Sequence, residues 1–216
     1  AKIGRAIADA RGIISISHFK GHCLFGFGGT IKNLGMGCGS RAGKLAMHSK
    51  IQPTVNARCT ACGRCIEVCP ADAMSMEDGN APIDSDVCIG CARCIAVCPK
   101  GAVSIPWHGA TGEEAQRRTA EYAYGAVHGK KHIHVTFIKD VTKDCDCASD
   151  SEIIGDDIGV VVSVDPVAND QAAYDLVCKH HGQDIFKQET GVDGTHILAH
   201  AEQIGLGQRR YELIRI

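Results

Sequence analysis

Two stretches of the sequence share one cysteine spacing: "CTACGRCIEVCP" at residues 59–70 and "CIGCARCIAVCP" at residues 88–99. Both read C-x2-C-x2-C-x3-C-P. Three closely spaced cysteines can surround one inorganic cluster, and the fourth, placed before a proline, can reach a second cluster. The repeated spacing therefore predicts a compact metal-binding module, around which the rest of the chain has to be arranged.

The spacing predicts two 4Fe-4S clusters whose ligands cross between the motifs. The first cluster is assigned to Cys59, Cys62, Cys65 and Cys98. The second is assigned to Cys88, Cys91, Cys94 and Cys69. Small residues in both loops let main-chain amides approach the cluster sulfurs. Zinc ribbons with four thiolates are the alternative, but a zinc site has no need of this longer spacing twice over.

The module, residues 56–106, resembles a bacterial two-cluster ferredoxin. Both motifs run into short apolar helices, "IEVCP" and "IAVCP", and "ADAMSM" and "KGAVSI" form a pseudo-repeat after them. Basic and acidic residues are nearly balanced here, whereas free ferredoxins with many partners are often strongly acidic. We therefore expect the module to exchange electrons mainly with its own chain or with a fixed partner.

Composition narrows the function classes for the whole chain. The 216 residues carry a net charge of -2, so the overall basic charge typical of nucleic-acid binding is missing. No apolar run is long enough to span a membrane, and the first residues lack the order of a secretory signal. Thirteen cysteines without such a signal favour metal binding over disulfides. The expectation is a cytoplasmic protein without nucleic-acid or membrane partners.

Outside the module, strands alternate with helices. Residues 12–17, 132–138 and 158–165 are predicted strands, and residues 113–127, 169–181 and 195–205 are predicted helices. Asn169 and Asp170 are predicted to cap the second helix, and "YELIRI" at the end is a predicted last strand. This order predicts an α/β fold with a mostly parallel sheet and flanking helices, interrupted by the inserted module.

Three segments follow from this interpretation: residues 1–55, the first part of the α/β domain with a Gly-rich loop; residues 56–106, the insertion; and residues 107–216, the second part. Trp107 is expected to pack at the junction. The sheet has few strands for an independent α/β domain. We expect the chain to be part of a longer protein, or another chain to complete the sheet.

Several stretches outside the cysteine motifs are similar to the uncharacterised Fe-S center protein family, the group of domain of unknown function 362. They include "SHFKGH", "GFGGTIKNLGMGCGSRAGK", "EYAYG", "DCDC", "DIGVVVSVDPVANDQAAYDLV" and "HAEQIGLGQRRYELIRI". The similarity covers nearly the whole chain but corresponds to the C-terminal portion of the family. It implies an iron-sulfur protein of anaerobic metabolism, with an N-terminal α/β portion that would complete the sheet.

The Gly-rich stretch "GFGGTIKNLGMGCGS", residues 26–40, matches neither a Walker loop nor a dinucleotide-binding βαβ unit with a preceding strand. Consecutive unhindered amides at a helix N-terminus can still bind an anion. Lys20, His22, Lys32 and Asn33 are therefore candidate catalytic or binding residues for a carboxylate or phosphate. The alternative is a structural loop whose polar residues face solvent, and the sequence leaves both open.

A third metal site is predicted at "KDCDCASD", because Cys145 and Cys147 share one face of an extended chain. Cys38 is the main candidate to complete it, with Cys23, His22 and His48 as others. A redox-active thiol pair or buried turn residues are the alternatives, and Cys178 is expected in the core. His132 and His134 on one strand face, and Asp165 at a strand end, are each open to a ligand-binding or a structural interpretation.

Two functions are consistent with these patterns. The first is an iron-sulfur electron-transfer protein whose two 4Fe-4S clusters exchange low-potential electrons with a site at the α/β domain. If that site binds a substrate, the protein would be an iron-sulfur oxidoreductase. That site would combine Lys20, His22, Lys32 and Asn33 with Cys145 and Cys147. The second is a non-catalytic electron-delivery or assembly subunit of a larger redox complex, in which the Gly-rich stretch is an interface.

Overall fold

A computed structural model describes residues 1–48, 53–104, 112–146 and 150–216. Trp107 and Cys147, and the predictions that concern them, lie outside these ranges. The chain forms two compact units. Unit 1 contains residues 1–39 and 112–216, and unit 2 contains residues 40–111.

Unit 1 is built on a three-stranded sheet in the order β1-β6-β9. The strands are β1 (Gly12–His18), β6 (Lys131–Ile138) and β9 (Gly159–Ser163). The first two pair in parallel, with Ile14 opposite Ile133. All three lie where the β-branched runs predicted strands.

The sheet is mixed, so the prediction of a mostly parallel sheet is correct for the β1-β6 pair and wrong for the β6-β9 pair, which is antiparallel. The connections explain the difference. A parallel neighbour needs a crossover, and β1 reaches β6 through α6 (Gly112–Val127). Between β6 and β9 the described chain contains two short strands and no helix, so it returns in the opposite direction.

Helices cover one face of the sheet. α7 (Pro166–His181) packs on β6 and β9, and α2 (Thr30–Lys32) packs on β1 and α7. A π-helical turn, Asn33–Gly37, continues α2 and packs against α6. The other helices of unit 1 are α1 (Arg5–Ala8), α8 (Ile185–Thr190) and α9 (Thr195–Gln203). No helix in the described ranges has the length and apolar character needed to cross a membrane.

The remaining strands of unit 1 form two hairpin-like pairs: β2 (Lys20–His22) with β3 (Gly26–Gly28), and β7 (Val141–Thr142) with β8 (Ile153–Gly155). Two sequence predictions are wrong here. Residues 211–216 form no strand, and Ile214 is 77% exposed. α7 begins at Pro166 instead of at Asn169, because the carboxylate of Asp165 caps it by accepting the Val167 and Ala168 amides.

The two faces of the three-stranded sheet have an unusual distribution of side chains. Towards the helices the strands present mainly polar groups, among them Ser17, His134 and Thr136, all buried. The opposite face is apolar and exposed: Ile14, Ile16, Ile133, Phe137, Val160, Val162 and Val164 are between 37% and 74% exposed. We call this set the bare face. A sheet with parallel pairing normally has both faces covered, so the bare face is a surface suited to another layer.

A polar network holds the covered face together. The Thr30 hydroxyl lies 2.9 Å from that of Thr136 and donates to Asn169 Oδ1 at 3.1 Å. Asn169 Nδ2 donates to the carbonyl oxygens of His134 and Val161. Burying these groups is tolerable only because each has partners.

Unit 2 contains little regular structure. Its elements are α3 (Arg41–His48), β4 (Thr54–Val55), α4 (Arg64–Glu67), α5 (Arg93–Val97) and β5 (Val103–Ser104). β4 and β5 pair antiparallel and bring the two ends of the described segment together. Cys65, Met74 and Ala81 form a small apolar cluster that packs against residues of both cysteine motifs, among them Cys59 and Cys94.

Candidate metal centre and ligand pocket

The two cysteine motifs adopt the same backbone conformation. Ala61 and Gly63 in the first motif have positive φ angles of 51° and 76°, and Gly90 and Ala92 at the corresponding positions have 68° and 59°. α4 and α5 begin directly after these left-handed residues. The turns fold each loop back on itself, so that its first three cysteines face a common centre. Alanine in this conformation is strained, which is typical of a site held by its surroundings.

Two cavities in unit 2 are each lined by four cysteines. The first has about 370 Å³ of space, open to solvent in part, and its cysteines are Cys59, Cys62, Cys65 and Cys98. The second has about 340 Å³, and its cysteines are Cys69, Cys88, Cys91 and Cys94. Each cavity thus has three cysteines from one motif and the last cysteine of the other.

Main-chain amides point at the sulfurs. Ala73 N–H donates to Cys69 Sγ at 3.3 Å, and at the equivalent position Ala102 N–H donates to Cys98 Sγ at 3.2 Å. Hydrogen bonds from the Val103, Ala102 and neighbouring amides lower the pKa of the Cys98 thiol. Burial raises the pKa of Cys94 to about 11, with Cys88 and Cys91 adding to the rise. The sulfurs of Cys69 and Cys98 thus accept amide hydrogen bonds of the kind that thiolate ligands receive in metal sites.

The Gly-rich stretch is not the loop that the sequence predicted. It contains β3, α2 and the π-helical turn, and most of it is buried. Glycine is required where helices approach closely: a Cβ atom on Gly29 would overlap the Asp170 carboxylate, and one on Gly35 would overlap Thr119. These glycines serve packing within unit 1.

Asp170 occupies the N-terminus of α2, a short helix inside the Gly-rich stretch that the sequence did not predict. Its Oδ1 accepts the Thr30 N–H at 2.6 Å and its Oδ2 accepts the Ile31 N–H at 2.8 Å. Burial raises the pKa of this carboxyl to about 7, against the opposing effects of the two amides and Lys20. The amides at the start of the helix are therefore already paired with an internal acid.

A polar cavity of about 510 Å³, open to solvent in part, lies at the carboxyl end of β1. We call it the strand-end pocket. Ligands of α/β proteins commonly bind at this end of a sheet. Its wall includes three of the four candidates from the sequence, Lys20, Lys32 and Asn33, together with His18 and Asp146. The π-helical turn supplies part of the wall, in keeping with the frequent occurrence of such turns at functional sites.

His18 and Asp146 were missed as site residues, although "SHFKGH" and "DCDC" contain them. His18 Nδ1 lies 2.7 Å from Asp146 Oδ1, and its Nε2 donates to the Lys139 carbonyl at 2.8 Å. Both ring nitrogens face oxygen atoms, which fixes the orientation of the ring. Burial acts to raise the pKa of Asp146, but hydrogen bonds from His18 and Lys20 outweigh it and lower the pKa.

The electrostatics of the strand-end pocket favour an anion. Lys20 Nζ lies 3.1 Å from Asp146 Oδ2 and donates to the His18 carbonyl at 2.9 Å. Lys32 Nζ lies 5.6 Å from the centre of the Phe25 ring. Two lysines thus line the pocket beside one carboxylate, that of Asp146, which leaves an excess of positive charge.

The other predicted residues lie elsewhere. His22, the last residue of β2, is buried and is not part of the pocket wall. Its Nδ1 accepts the Leu24 N–H, and its ring contacts Phe25 edge-on. Cys145 adjoins Asp146 but does not line the pocket. The Cys38 carbonyl accepts the Gly4 N–H at 2.8 Å. Lys20, Lys32 and Asn33 are therefore brought together without His22 and Cys145.

The third metal site stays a prediction, since Cys147 lies outside the described ranges. Cys23 is near the predicted site: its N–H donates to Asp144, and its thiol pKa is raised by burial first and by Asp144 and Cys145 in addition. Cys38, Cys23 and Cys145 form no set of three ligands within 4.8 Å of one another in the described part of the chain.

The paired strand histidines and Asp165 have structural contacts. His132 Nδ1 lies 2.9 Å from His134 Nε2, and His134 Nδ1 lies 2.7 Å from the Ser15 hydroxyl. Burial lowers the pKa of His134 to about 4, so this ring is neutral. Asp165 caps α7 and also accepts the Gln208 N–H. These contacts account for the three residues as parts of the α/β unit.

Comparison with known proteins gives one match. The family model described as domain of unknown function (DUF362) matches residues 1–175. No curated protein matches the chain, and no solved structure matches it. The matched range includes both cysteine motifs, the strand-end pocket, the whole three-stranded sheet and part of the helical layer, since α7 extends beyond it to His181. The chain therefore belongs to the DUF362 family.

Proposed function

We propose that the protein is an iron-sulfur electron-transfer protein that carries two 4Fe-4S clusters in a ferredoxin-like unit 2. Cys59, Cys62, Cys65 and Cys98 hold the first cluster, and Cys69, Cys88, Cys91 and Cys94 hold the second. The clusters exchange low-potential electrons with a site or partner at the α/β unit. Anaerobic metabolism and a cytoplasmic location are the setting that the family resemblance and the cysteine content favour.

One observation carries this proposal: each of the two cavities has four cysteines in its wall, and the sets cross between the motifs. A cubane cluster needs four converging thiolates, and crossed ligation is characteristic of this spacing. The repeated left-handed turns and the amides directed at Cys69 and Cys98 also support it. Apart from the sulfurs, the second cavity is lined by apolar residues, and the first cavity also has Thr60, Arg64 and Lys100 in its wall.

Iron and sulfide analysis of the anaerobically purified chain tests the proposal. Two clusters give about eight iron and eight sulfide per chain, and about four of each would mean that one motif is empty. Zinc without sulfide would contradict the cluster assignment.

We further propose that the strand-end pocket binds a small carboxylate or phosphate, which makes it the candidate site of an oxidoreductase activity. Lys20 and Lys32 would neutralise the anion, and the Asn33 side chain, which donates to the Ile16 carbonyl and to the Ser17 hydroxyl, fixes one wall. His18, held by Asp146, forms another part of the wall. Cofactor chemistry would be supplied by the clusters.

Replacing Lys32 by Met should weaken phosphate binding about tenfold, since one charge-assisted contact is lost. Calorimetric titration with inorganic phosphate measures the change. Lys187→Met is the matched control, because Lys187 pairs with Asp193 at the surface of the same unit and outside the pocket. Equal phosphate affinity in the wild type and the Lys32 variant would show that the pocket is not the anion site.

The bare face supports the alternative function, electron delivery within a larger complex. We propose that an apolar layer covers it, supplied by a redox partner or by the N-terminal portion that the family resemblance implies. Ile16, Val135 and Val162 lie opposite one another across the three strands and form one apolar row of the bare face. A continuous exposed apolar surface of this kind is unusual on a monomer. The buried polar side chains of the sheet face the helices. A layer on the bare face would therefore have to satisfy few polar atoms of the sheet.

Replacing Ile16 and Val162 together by Lys should abolish co-purification of the covering polypeptide. The isolated chain should keep its stability to within about 0.5 kcal/mol, because both side chains are already exposed. Co-purification at low salt and urea unfolding measure the two effects. Leu213→Lys with Ile214→Lys, in the exposed C-terminal segment, is the control. A complex that survives the Ile16 and Val162 changes would place the partner elsewhere.

A further inference from the structure

Unit 1 contains a group of side chains that could bind a metal ion. None of them belongs to the cysteine motifs or to the strand-end pocket. Asp156 follows β8, and His180 and His181 end α7. One ligand atom from each of the three lies within 4.8 Å of the others, and in the described part of the chain no other set of three or more does so. Two imidazoles and one carboxylate form a donor set that binds divalent transition metals.

Local structure brings the three side chains together. α7 ends at Gly182, whose φ of 70° stops the helix directly after the two histidines. Gly155 lets the β8 end approach the helix, because a Cβ atom there would lie 3.2 Å from His181 Nε2. Asp157 accepts the Asp140 N–H at 2.7 Å and holds the loop that carries Asp156.

The ligand atoms lie near the separations that a metal site requires. His180 Nε2 lies 3.0 Å from Asp156 Oδ2, and a ring nitrogen of His181 lies within 4.8 Å of a ligand atom of each of them. In a tetrahedral site with bonds of about 2.1 Å, ligand atoms are roughly 3.4 Å apart. Small rotations of exposed side chains would therefore suffice to enclose an ion; His180 is 48% exposed and Asp156 74%.

We propose that Asp156, His180 and His181 bind one divalent transition-metal ion of the Zn²⁺ type, with water completing the coordination. The ion joins the C-terminal end of α7 to the loop between β8 and β9. The loop is also held by two hydrogen bonds, from the Asp140 amide to Asp157 and from the Ile158 amide to the Ile138 carbonyl. The site is independent of the iron-sulfur clusters.

Equilibrium dialysis of the full, anaerobically purified chain against Zn²⁺ tests the site by difference, because free cysteines also bind zinc. Asp156→Asn and His181→Gln should each hold one zinc fewer than the wild type, with affinity at this site lowered on the order of 100-fold. His200→Gln is the matched control: His200 pairs with Glu121 at 3.2 Å but belongs to no set of three ligand groups in the described ranges, and this variant should hold as much zinc as the wild type.

Thermal unfolding gives a second measurement. Zn²⁺ should raise the unfolding midpoint of the wild type and of His200→Gln more than that of Asp156→Asn or His181→Gln, since a ligand that binds the folded state stabilises it. Without zinc all four proteins should unfold at similar temperatures, which shows that the variants fold. Equal zinc content and equal zinc-dependent shifts in all four would overturn the proposal.

Discussion

Replacing Cys59 and Cys98 together by Ala will leave about four iron per chain, whereas replacing Cys59 and Cys69 together will leave close to none. The crossed assignment puts Cys59 and Cys98 on one cluster, so the first double variant damages a single site. The second double variant takes one thiolate from each cluster. Anaerobic iron and sulfide analysis, after gel filtration to remove released metal, measures the result.

The same two variants exclude the uncrossed alternative. If each motif held its own cluster, Cys59 and Cys69 would be partners, and the iron contents of the two variants would be interchanged. Cys178→Ala, in α7 of unit 1, is the control and should retain about eight iron. A loss of iron in this control would mean that general instability, not ligand removal, accounts for the changes.

Asp170→Asn will remove a pH dependence of stability that the wild type has between about pH 4 and pH 7. The folded pKa of Asp170, about 7, is above its ordinary value of 3.8, so the folded state holds the proton over this interval and the unfolded state does not. The contribution of the protonated carboxyl is complete below pH 4 and is lost as the pH rises through 7. The stability of the wild type relative to the variant should fall by about 4 kcal/mol.

Urea unfolding at a series of pH values, followed by circular dichroism under anaerobic conditions, measures this difference. Asp157→Asn provides a control of opposite sign. The Asp140 amide lowers the pKa of Asp157, so its contribution is present above its ordinary pKa and is lost as the pH falls. A difference between wild type and Asp170→Asn that does not change with pH would mean that Asp170 remains ionised throughout, held by the Thr30 and Ile31 amides.

Local sequence was sufficient where chemistry and spacing act over a few residues. The β-branched runs gave β1, β6 and β9 their positions, and Pro166 preceded by Asp165 marks the start of α7 more directly than Asn169 does. The cysteine motifs specify their own turns, since residues 61, 63, 90 and 92 all adopt left-handed conformations within the loops. Strand direction was different, because it depends on whether a connection crosses over the sheet.

The Gly-rich stretch shows why composition misled the prediction of its structure. High glycine content is typical of loops, yet here Gly29 and Gly35 allow helices to approach Asp170 and Thr119 closely. The partner that requires each glycine is more than 80 residues away in sequence, so no local pattern could identify it. The same distance hides the pairing of His18 with Asp146, 128 residues apart, which completes the strand-end pocket.

The sequence by itself determined the two cysteine motifs, the family, and the order of most strands and helices, because these depend on neighbouring residues and on fixed spacings. The tertiary structure alone decided that the sheet is mixed, that its apolar face is bare, and that Asp170 pairs with the amides at the N-terminus of α2. It also brought Lys20, Lys32 and Asn33 together with His18 and Asp146, and Asp156 with His180 and His181. The physical reason is that burial, charge balance and close packing arise from contacts between distant segments.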